Sequence, residues 1–207
     1  MSRDRVGGIV LCGGRSSRMG QPKAWLPFAG EPMLARVVRR LGGVVRPIVV
    51  VAAPGQDVPP LPAEVAIVRD AREGRGPLQG LAAGLAALRG QAEAAFVSSC
   101  DVPFLRPALV ERLIELAGRH HVCVPRVEGR FHPLAAVYRQ EVGAAVEELL
   151  ASDRLRPAFL FERVPTRIVE AGELAEVDPE LLSFRNLNTP EDYQLALRLA
   201  WSEAEGH

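Results

Sequence analysis

The sequence predicts an α/β fold with a mostly parallel central sheet flanked by helices. Three observations lead there. Short runs rich in Val and Ile recur along the chain, helical patterns separate them, and glycine-rich or polar connections fall at their ends. The 207 residues are enough for one such domain with a sizeable core and short for two, so 1–207 is read as a single domain.

Val6 to Leu11 is the first buried strand, stopped by Gly13 and Gly14, and a polar loop follows to Pro22. Pro32 stands at the first turn of a helix. Its Leu34, Val37, Val38 and Leu41 share one face, with Arg36, Arg39 and Arg40 largely on the other, and Gly42 and Gly43 end it. Pro47 to Ala53 is a second buried strand and Val65 to Val68 a third; between them the proline-rich stretch Pro54 to Pro62 reads as a surface loop. Gly76 to Gly80 opens a helix running to about Leu88, rich in Ala and Gly and so suited to close packing on a sheet. Ala94 to Ser98 is a fourth strand, and Asp101 stands just beyond its C-terminal end.

Pro107 begins a helix with Leu109, Leu113, Ile114 and Leu116 as its apolar stripe. Val122 to Pro125 is a strand, and Phe131 to Tyr138 a second after the turn Glu128-Gly129. Together they predict a β-hairpin addition that makes the sheet mixed. Val142 to Leu150 is helical and Thr166 to Val169 a late strand. Pro190 to Trp201 is a closing helix, with Thr189 as N-cap and Glu191 and Asp192 in its first turn.

Composition narrows the function. Hydrophobic residues make up 48% and charged residues 24%, and 25 basic side chains balance 25 acidic ones. A nucleic-acid binder would carry a basic excess, so that class is disfavoured. No secretory signal is evident, and no run approaches the roughly 20 apolar residues that cross a bilayer, so a cytoplasmic protein with no membrane contact is expected. Cys12, Cys100 and Cys123 are odd in number and lack metal-ligand spacing, which argues against a disulfide framework and a zinc site. Cys12 and Cys100 fall at strand ends and read as small buried hydrophobes.

The segment Leu11-Cys12-Gly13-Gly14-Arg15-Ser16-Ser17-Arg18-Met19-Gly20-Gln21-Pro22-Lys23 carries the chemistry. It follows the first strand directly, and ligands of open α/β sheets bind beyond the carboxyl ends of strands. Gly13 and Gly14 let the backbone approach a phosphate, with consecutive amides aimed at one anion. Arg18 and Lys23 supply the positive charge a triphosphate needs. Two commoner motifs are excluded. Gly20 is followed by Gln21 and Lys23 by Ala24, so there is no P-loop, and GxGxxG is absent. Asp101, a carboxylate at the end of a central strand, is the candidate ligand for Mg²⁺, a cation held by one or two carboxylates plus substrate phosphates.

The string LCGGRSSRMGQPKAWLPFAGEPML resembles the N-terminal signature of nucleotidyltransferases, and is most similar to that of the molybdenum cofactor guanylyltransferase family. The resemblance continues in family order through Gly76-Pro77-Leu78-Gln79-Gly80, Cys100-Asp101-Val102-Pro103-Phe104-Leu105, Phe131-His132-Pro133-Leu134 and Asn186-Leu187-Asn188-Thr189-Pro190-Glu191-Asp192. It implies a Rossmann-like nucleotidyltransferase fold. It also implies transfer of GMP from MgGTP to the phosphate of molybdopterin carrying molybdenum, which releases pyrophosphate. GTP and molybdopterin are the implied substrates, with molybdoenzymes or other cofactor-synthesis proteins as further partners. Arg18, Lys23 and Asp101 are then the catalytic set. Leu11, Cys12, Gly13, Gly14, Lys23, Asp70, Gly76 and Asp101 line the nucleotide, and Leu78, Gly80, His132, Asn186 and Asn188 the acceptor side. Read without the resemblance, Asp70 is an acidic residue at a strand end, Leu78 and Gly80 are packing positions, and the two asparagines are turn residues before the last helix.

One departure stands out. Many family members place an Asn after the second strand, where it helps bind guanosine. This chain has Val50 to Gly55 with no Asn or Asp before Asp57, leaving a backbone carbonyl or Gln56 for that place. The competing readings are a CTP-dependent enzyme making the cytosine dinucleotide, a sugar-1-phosphate nucleotidyltransferase, and a non-catalytic nucleotide-binding chaperone of molybdoenzymes.

Overall fold

The computed structural model describes residues 5–13, 22–70 and 74–205. Its strands are β1 (Val6–Leu11), β2 (Pro27–Phe28), β3 (Glu31–Pro32), β4 (Ile48–Ala52), β5 (Ala66–Arg69), β6 (Ala94–Ser99), β7 (Val122–Val127), β8 (Arg130–Phe131), β9 (Ala135–Arg139) and β10 (Thr166–Glu170). The helices are α1 (Met33–Gly42), α2 (Gly76–Ala87), α3 (Pro107–Ala117), α4 (Gly143–Ala151), α5 (Ala158–Phe161) and α6 (Pro190–Glu205).

The main sheet runs β10-β7-β9-β6-β1-β4-β5, with β8 paired to β7. β6, β1, β4 and β5 are mutually parallel, as are β7 and β10, while β9 runs antiparallel to both its neighbours. The chain leaves β1 toward β4 and later returns on its other side at β6. This reversal makes the carboxyl ends of β1 and β6 the switch point of the sheet, where ligands of such folds bind.

Alternation along β1 builds both faces of the core. Val6 and Val10 join Leu34, Val37, Leu41, Leu109 and Leu113 from α1 and α3. Ile9 and Leu11 join Leu78, Leu81, Leu85, Val146 and Leu149 from α2 and α4. The glycines of α2 make the close approach possible. A Cβ at Gly84 would stand 2.6 Å from Ile9 Cγ2, and one at Gly80 3.1 Å from Leu11 Cδ2. A third cluster, Leu26, Phe28, Met33, Phe104, Leu182, Leu187 and Ala196, binds the β2–β3 hairpin to α6.

Four expectations need correction. Phe131 to Tyr138 is not one strand. Pro133 lacks an amide, the chain turns at 132–134, and β9 inserts between β7 and β6, so the expected hairpin addition lies inside the sheet. β5 is an exposed edge strand rather than a buried one, with Ile67 43% exposed. Arg36 does not face solvent with Arg39; it is 8% exposed. Its Nε donates to Pro103 O at 2.9 Å, its Nη1 lies 3.3 Å from Glu31 Oε1, and its guanidinium covers the Phe28 ring. On α3 the buried stripe includes Val110, while Leu116 is only partly buried. Among the described residues, no helix is long and apolar enough to cross a membrane.

Candidate functional site

Three chain segments meet at the carboxyl ends of β1 and β6. The first is the short 3₁₀ turn Lys23–Trp25. Its Ala24 is buried in the core and its Trp25 Nε1 donates to Asp57 O at 3.3 Å, so the turn is held from both sides and Lys23 is presented between them. The second is the end of β6, where Ser99 and Asp101 follow one another at a two-residue spacing. The third is the stretch 186–188 before α6, joined to the second by the Leu187 amide donating to Asp101 O at 3.0 Å.

Side chains from all three converge on the Asp101 carboxylate. Ser99 Oγ donates to Oδ1 at 2.6 Å, and Asn186 Nδ2 donates to the same oxygen at 2.7 Å and to Ser99 Oγ at 3.1 Å. Lys23 Nζ donates to Oδ2 at 2.7 Å and to Asn188 Oδ1 at 2.8 Å. The Lys23 and Asp101 side chains are 18% and 11% exposed, so this ion pair is largely withdrawn from water and lightly screened. Asn188 is itself fixed. Its backbone N–H donates to Asp192 Oδ2, Thr189 N donates to the same oxygen, and Asp192 N returns a bond to Thr189 Oγ1. Desolvation pushes the Asp192 carboxyl up, but the donors from Asn188 and Thr189 outweigh it and hold the group below the usual range. Upstream, the buried Asp178 accepts from the amides of Leu182 and Ser183 and pairs with Arg106 at 3.2 Å.

The start of the glycine-rich loop is also anchored. Gln56 Oε1 accepts from Ala53 N at 3.0 Å and Gln56 Nε2 donates to Cys12 O at 2.9 Å, pinning the end of β1 to the turn after β4. Both ends of this amide are occupied by backbone. Cys12 and Cys100 are buried as expected, and Gln56 Nε2 lies 3.4 Å from Cys12 Sγ. The interaction between the two thiols holds Cys12 below the ordinary thiol value, and together with burial it raises Cys100.

The remaining sequence candidates divide. Leu11 and Cys12 are buried, while Gly13 is exposed beside Ala53. Asp70 lies at the same edge, its amide bonded to Ala52 O at 2.9 Å. Gly76 has φ +72° and opens α2, a conformation that calls for glycine. Leu78 is wholly buried and Gly80 packs on Leu11, so neither position turns a side chain toward an acceptor; that stretch offers only backbone. His132 joins the third segment indirectly, its ring 4.7 Å from that of Phe184, and burial lowers its pKa against the opposing pull of Glu128. Arg18 and Gly14 lie outside the described residues.

Sequence reasoning missed Ser99 and Asp178, and it named Gln56 only for a base contact and not for the backbone bonds it makes. For Ser99 a signal existed: Ser98-Ser99 is a polar pair closing an apolar strand two residues from the carboxylate. Asp178 and Gln56 carry no local pattern that sets them apart from surface residues.

The donor set suits a hard cation. Among the described residues no group of three or more His, Cys, Asp or Glu side chains could hold a metal. Asp101 Oδ2 and Asn188 Oδ1 nevertheless converge on one ammonium, and carboxylate and amide oxygens are the donors Mg²⁺ selects.

Comparison with known proteins gives the family of the chain. A protein of Methanosarcina acetivorans described as a probable molybdenum cofactor guanylyltransferase is 36% identical over 203 residues, covering 90% of this chain and 87% of its own length. The molybdenum cofactor guanylyltransferase of Desulfosudis oleivorans is 34% identical, with 93% and 95% covered. The solved structure of molybdopterin-guanine dinucleotide biosynthesis protein A from Archaeoglobus fulgidus superposes with a TM-score of 0.78 at 24% identity, over 95% of this chain and 99% of that one, and shares the fold. The MobA-like NTP transferase domain family matches residues 8–166, and the chain belongs to that family.

Proposed function

We propose that this protein transfers GMP from GTP to the phosphate of molybdenum-bearing molybdopterin, giving the guanine dinucleotide cofactor and pyrophosphate. The observation that carries the reading is the Lys23–Asp101–Asn188 cluster at the switch point of the sheet, directly beyond the strand that leads into the glycine-rich loop. The guanine preference is supported by the descriptions of the curated relatives.

In the reaction an acceptor phosphate oxygen forms a bond to the α-phosphorus as the bond to the β-phosphate oxygen breaks. Both partners are anions, so the task of the site is positioning and charge neutralisation. Lys23 and Arg18 neutralise the triphosphate, Arg18 by its place in the sequence signature. Gly13 and Gly14 bring backbone amides to the phosphates, with Leu11 and Cys12 setting the loop's origin. Asp70 and Gly76 border the nucleotide. His132, Asn186 and the backbone at 78–80 face the acceptor side. Asp101 and Asn188 would hold a magnesium ion, which would screen the phosphate charge when bound. Ser99 and Asn186 keep the Asp101 carboxylate in one orientation. Residues 1–207 act as one domain in the cytoplasm, without nucleic acid or membrane, and deliver product to molybdoenzymes or other cofactor-synthesis proteins.

The test is incubation with molybdopterin, magnesium and either GTP or CTP, with products identified by mass. The guanine dinucleotide is expected from GTP. Formation of the cytosine product alone overturns the nucleotide assignment, and nucleotide binding without pyrophosphate release overturns the enzymatic one.

A further inference from the structure

We propose that Lys23 occupies the cation position of the substrate-free protein and surrenders it to the metal only when a nucleoside triphosphate offers the ammonium a new partner. This rests on the reading of Asp101 as the metal ligand. The geometry points to the exchange in three ways.

First, the carboxylate is asymmetric. Oδ1 takes two donors, from Ser99 at 2.6 Å and Asn186 at 2.7 Å, so Oδ2 is the oxygen turned toward a cation. Second, Lys23 Nζ already sits there, 2.7 Å from Oδ2 and 2.8 Å from Asn188 Oδ1. A carboxylate oxygen and an amide oxygen thus meet at one point, which an ammonium fills. Third, the pair is largely buried, so two cations on one oxygen would repel with little screening. A divalent ion and the ammonium therefore compete for Oδ2.

The arrangement also has a structural logic. A carboxylate at this depth with only neutral donors would be costly to hold, and Lys23 compensates it until substrate arrives. A triphosphate reverses the balance. Its oxygens attract Lys23 out of the pair, and the vacated Oδ2 and Asn188 Oδ1 then face the metal that accompanies the nucleotide. Metal and nucleotide bind with positive coupling, and by linkage each strengthens the other equally.

The experiment uses the full chain and Mn²⁺ alone, with no nucleotide present, and follows free Mn²⁺ by electron paramagnetic resonance. Lys23→Met and Lys23→Gln remove the competing charge. Either variant is expected to bind Mn²⁺ at least about tenfold more tightly than the unsubstituted protein, as removal of a like charge from a lightly screened site implies. Lys23→Gln is the smaller change and keeps the result interpretable if Lys23→Met unfolds. Unchanged or weaker Mn²⁺ binding in a folded variant overturns the proposal. The double variant Lys23→Met/Asp101→Asn separates the two layers. Loss of the gained binding supports the exchange at Asp101, whereas retained binding removes Asp101 as the ligand and overturns the underlying reading.

Discussion

Replacing Ser99 by Ala removes one hydrogen bond from the carboxylate around which the site is organised, together with the 3.1 Å bond that Ser99 Oγ accepts from Asn186 Nδ2. Ser99 is buried, and its hydroxyl lies 2.6 Å from Asp101 Oδ1. Hydrogen bonds to charged groups contribute about 1.5–3 kcal/mol. Asn186 Nδ2 remains on the same oxygen at 2.7 Å, so the carboxylate keeps one of its two neutral donors and the lower end of that range applies. At about 1.4 kcal/mol per tenfold in rate, Ser99→Ala lowers kcat roughly tenfold. Ser99 contacts the carboxylate rather than the phosphates, so the KM for GTP moves by less than about threefold, as expected for an interaction that matters mainly in the transition state. Steady-state pyrophosphate release with GTP and molybdopterin varied in turn measures both constants, and urea unfolding of the same preparation checks the fold. A kcat within about twofold of the unsubstituted enzyme refutes the assignment of Ser99 as the residue that orients Asp101.

Three further outcomes are expected. Gln56→Glu keeps an acceptor for Ala53 N but cannot donate to Cys12 O, so the glycine-rich loop loses its tether and the KM for GTP rises about tenfold, with a smaller change in kcat; an unchanged KM excludes the tether. Burial depresses the pKa of His132, so the fold favours its neutral form. Its contribution is present above the unfolded value of 6.5 and is lost as pH falls through the lower folded one. Urea midpoints should therefore fall less below pH 6.5 in His132→Gln than in the parent, and parallel curves would contradict this. Arg36→Met leaves Pro103 O without its donor and removes one of the two arginines on Glu31, which keeps Arg39, and should cost about 1–3 kcal/mol in urea unfolding; a neutral result would mean that the buried guanidinium is dispensable.

Much of the architecture was legible because local patterns and tertiary contacts agree. Val6–Leu11 and Ile48–Ala52 are apolar runs ended by turn residues, and both are central strands. The Ala- and Gly-rich face of α2 announces close packing, and Gly80 and Gly84 provide it against Leu11 and Ile9. Misreadings arose where the sheet decides. The run 65–68 looks buried by composition, but its place in the strand order leaves it at an edge. Arg36 looks like a solvent-facing charge until the Phe28 ring and the Pro103 carbonyl, from other parts of the chain, enclose it. At the site, Lys23 and Asp101 were identified by residue type and position, yet their direct pairing spans 78 residues and no local spacing encodes it. Gln56 was named only as a stand-in for a base-contacting residue, and the structure gives its amide to the backbone of Cys12 and Ala53 instead.

Whether Asp101 anchors nucleotidyl transfer is decided by a single-turnover experiment with GTP labelled at the α-phosphorus, following the label into the molybdopterin product. The unsubstituted protein should transfer the label with release of unlabelled pyrophosphate, and Asp101→Asn should do so at least about a hundredfold more slowly while remaining folded. Transfer by Asp101→Asn at close to the normal rate would contradict the role given to this carboxylate and to the cluster built around it.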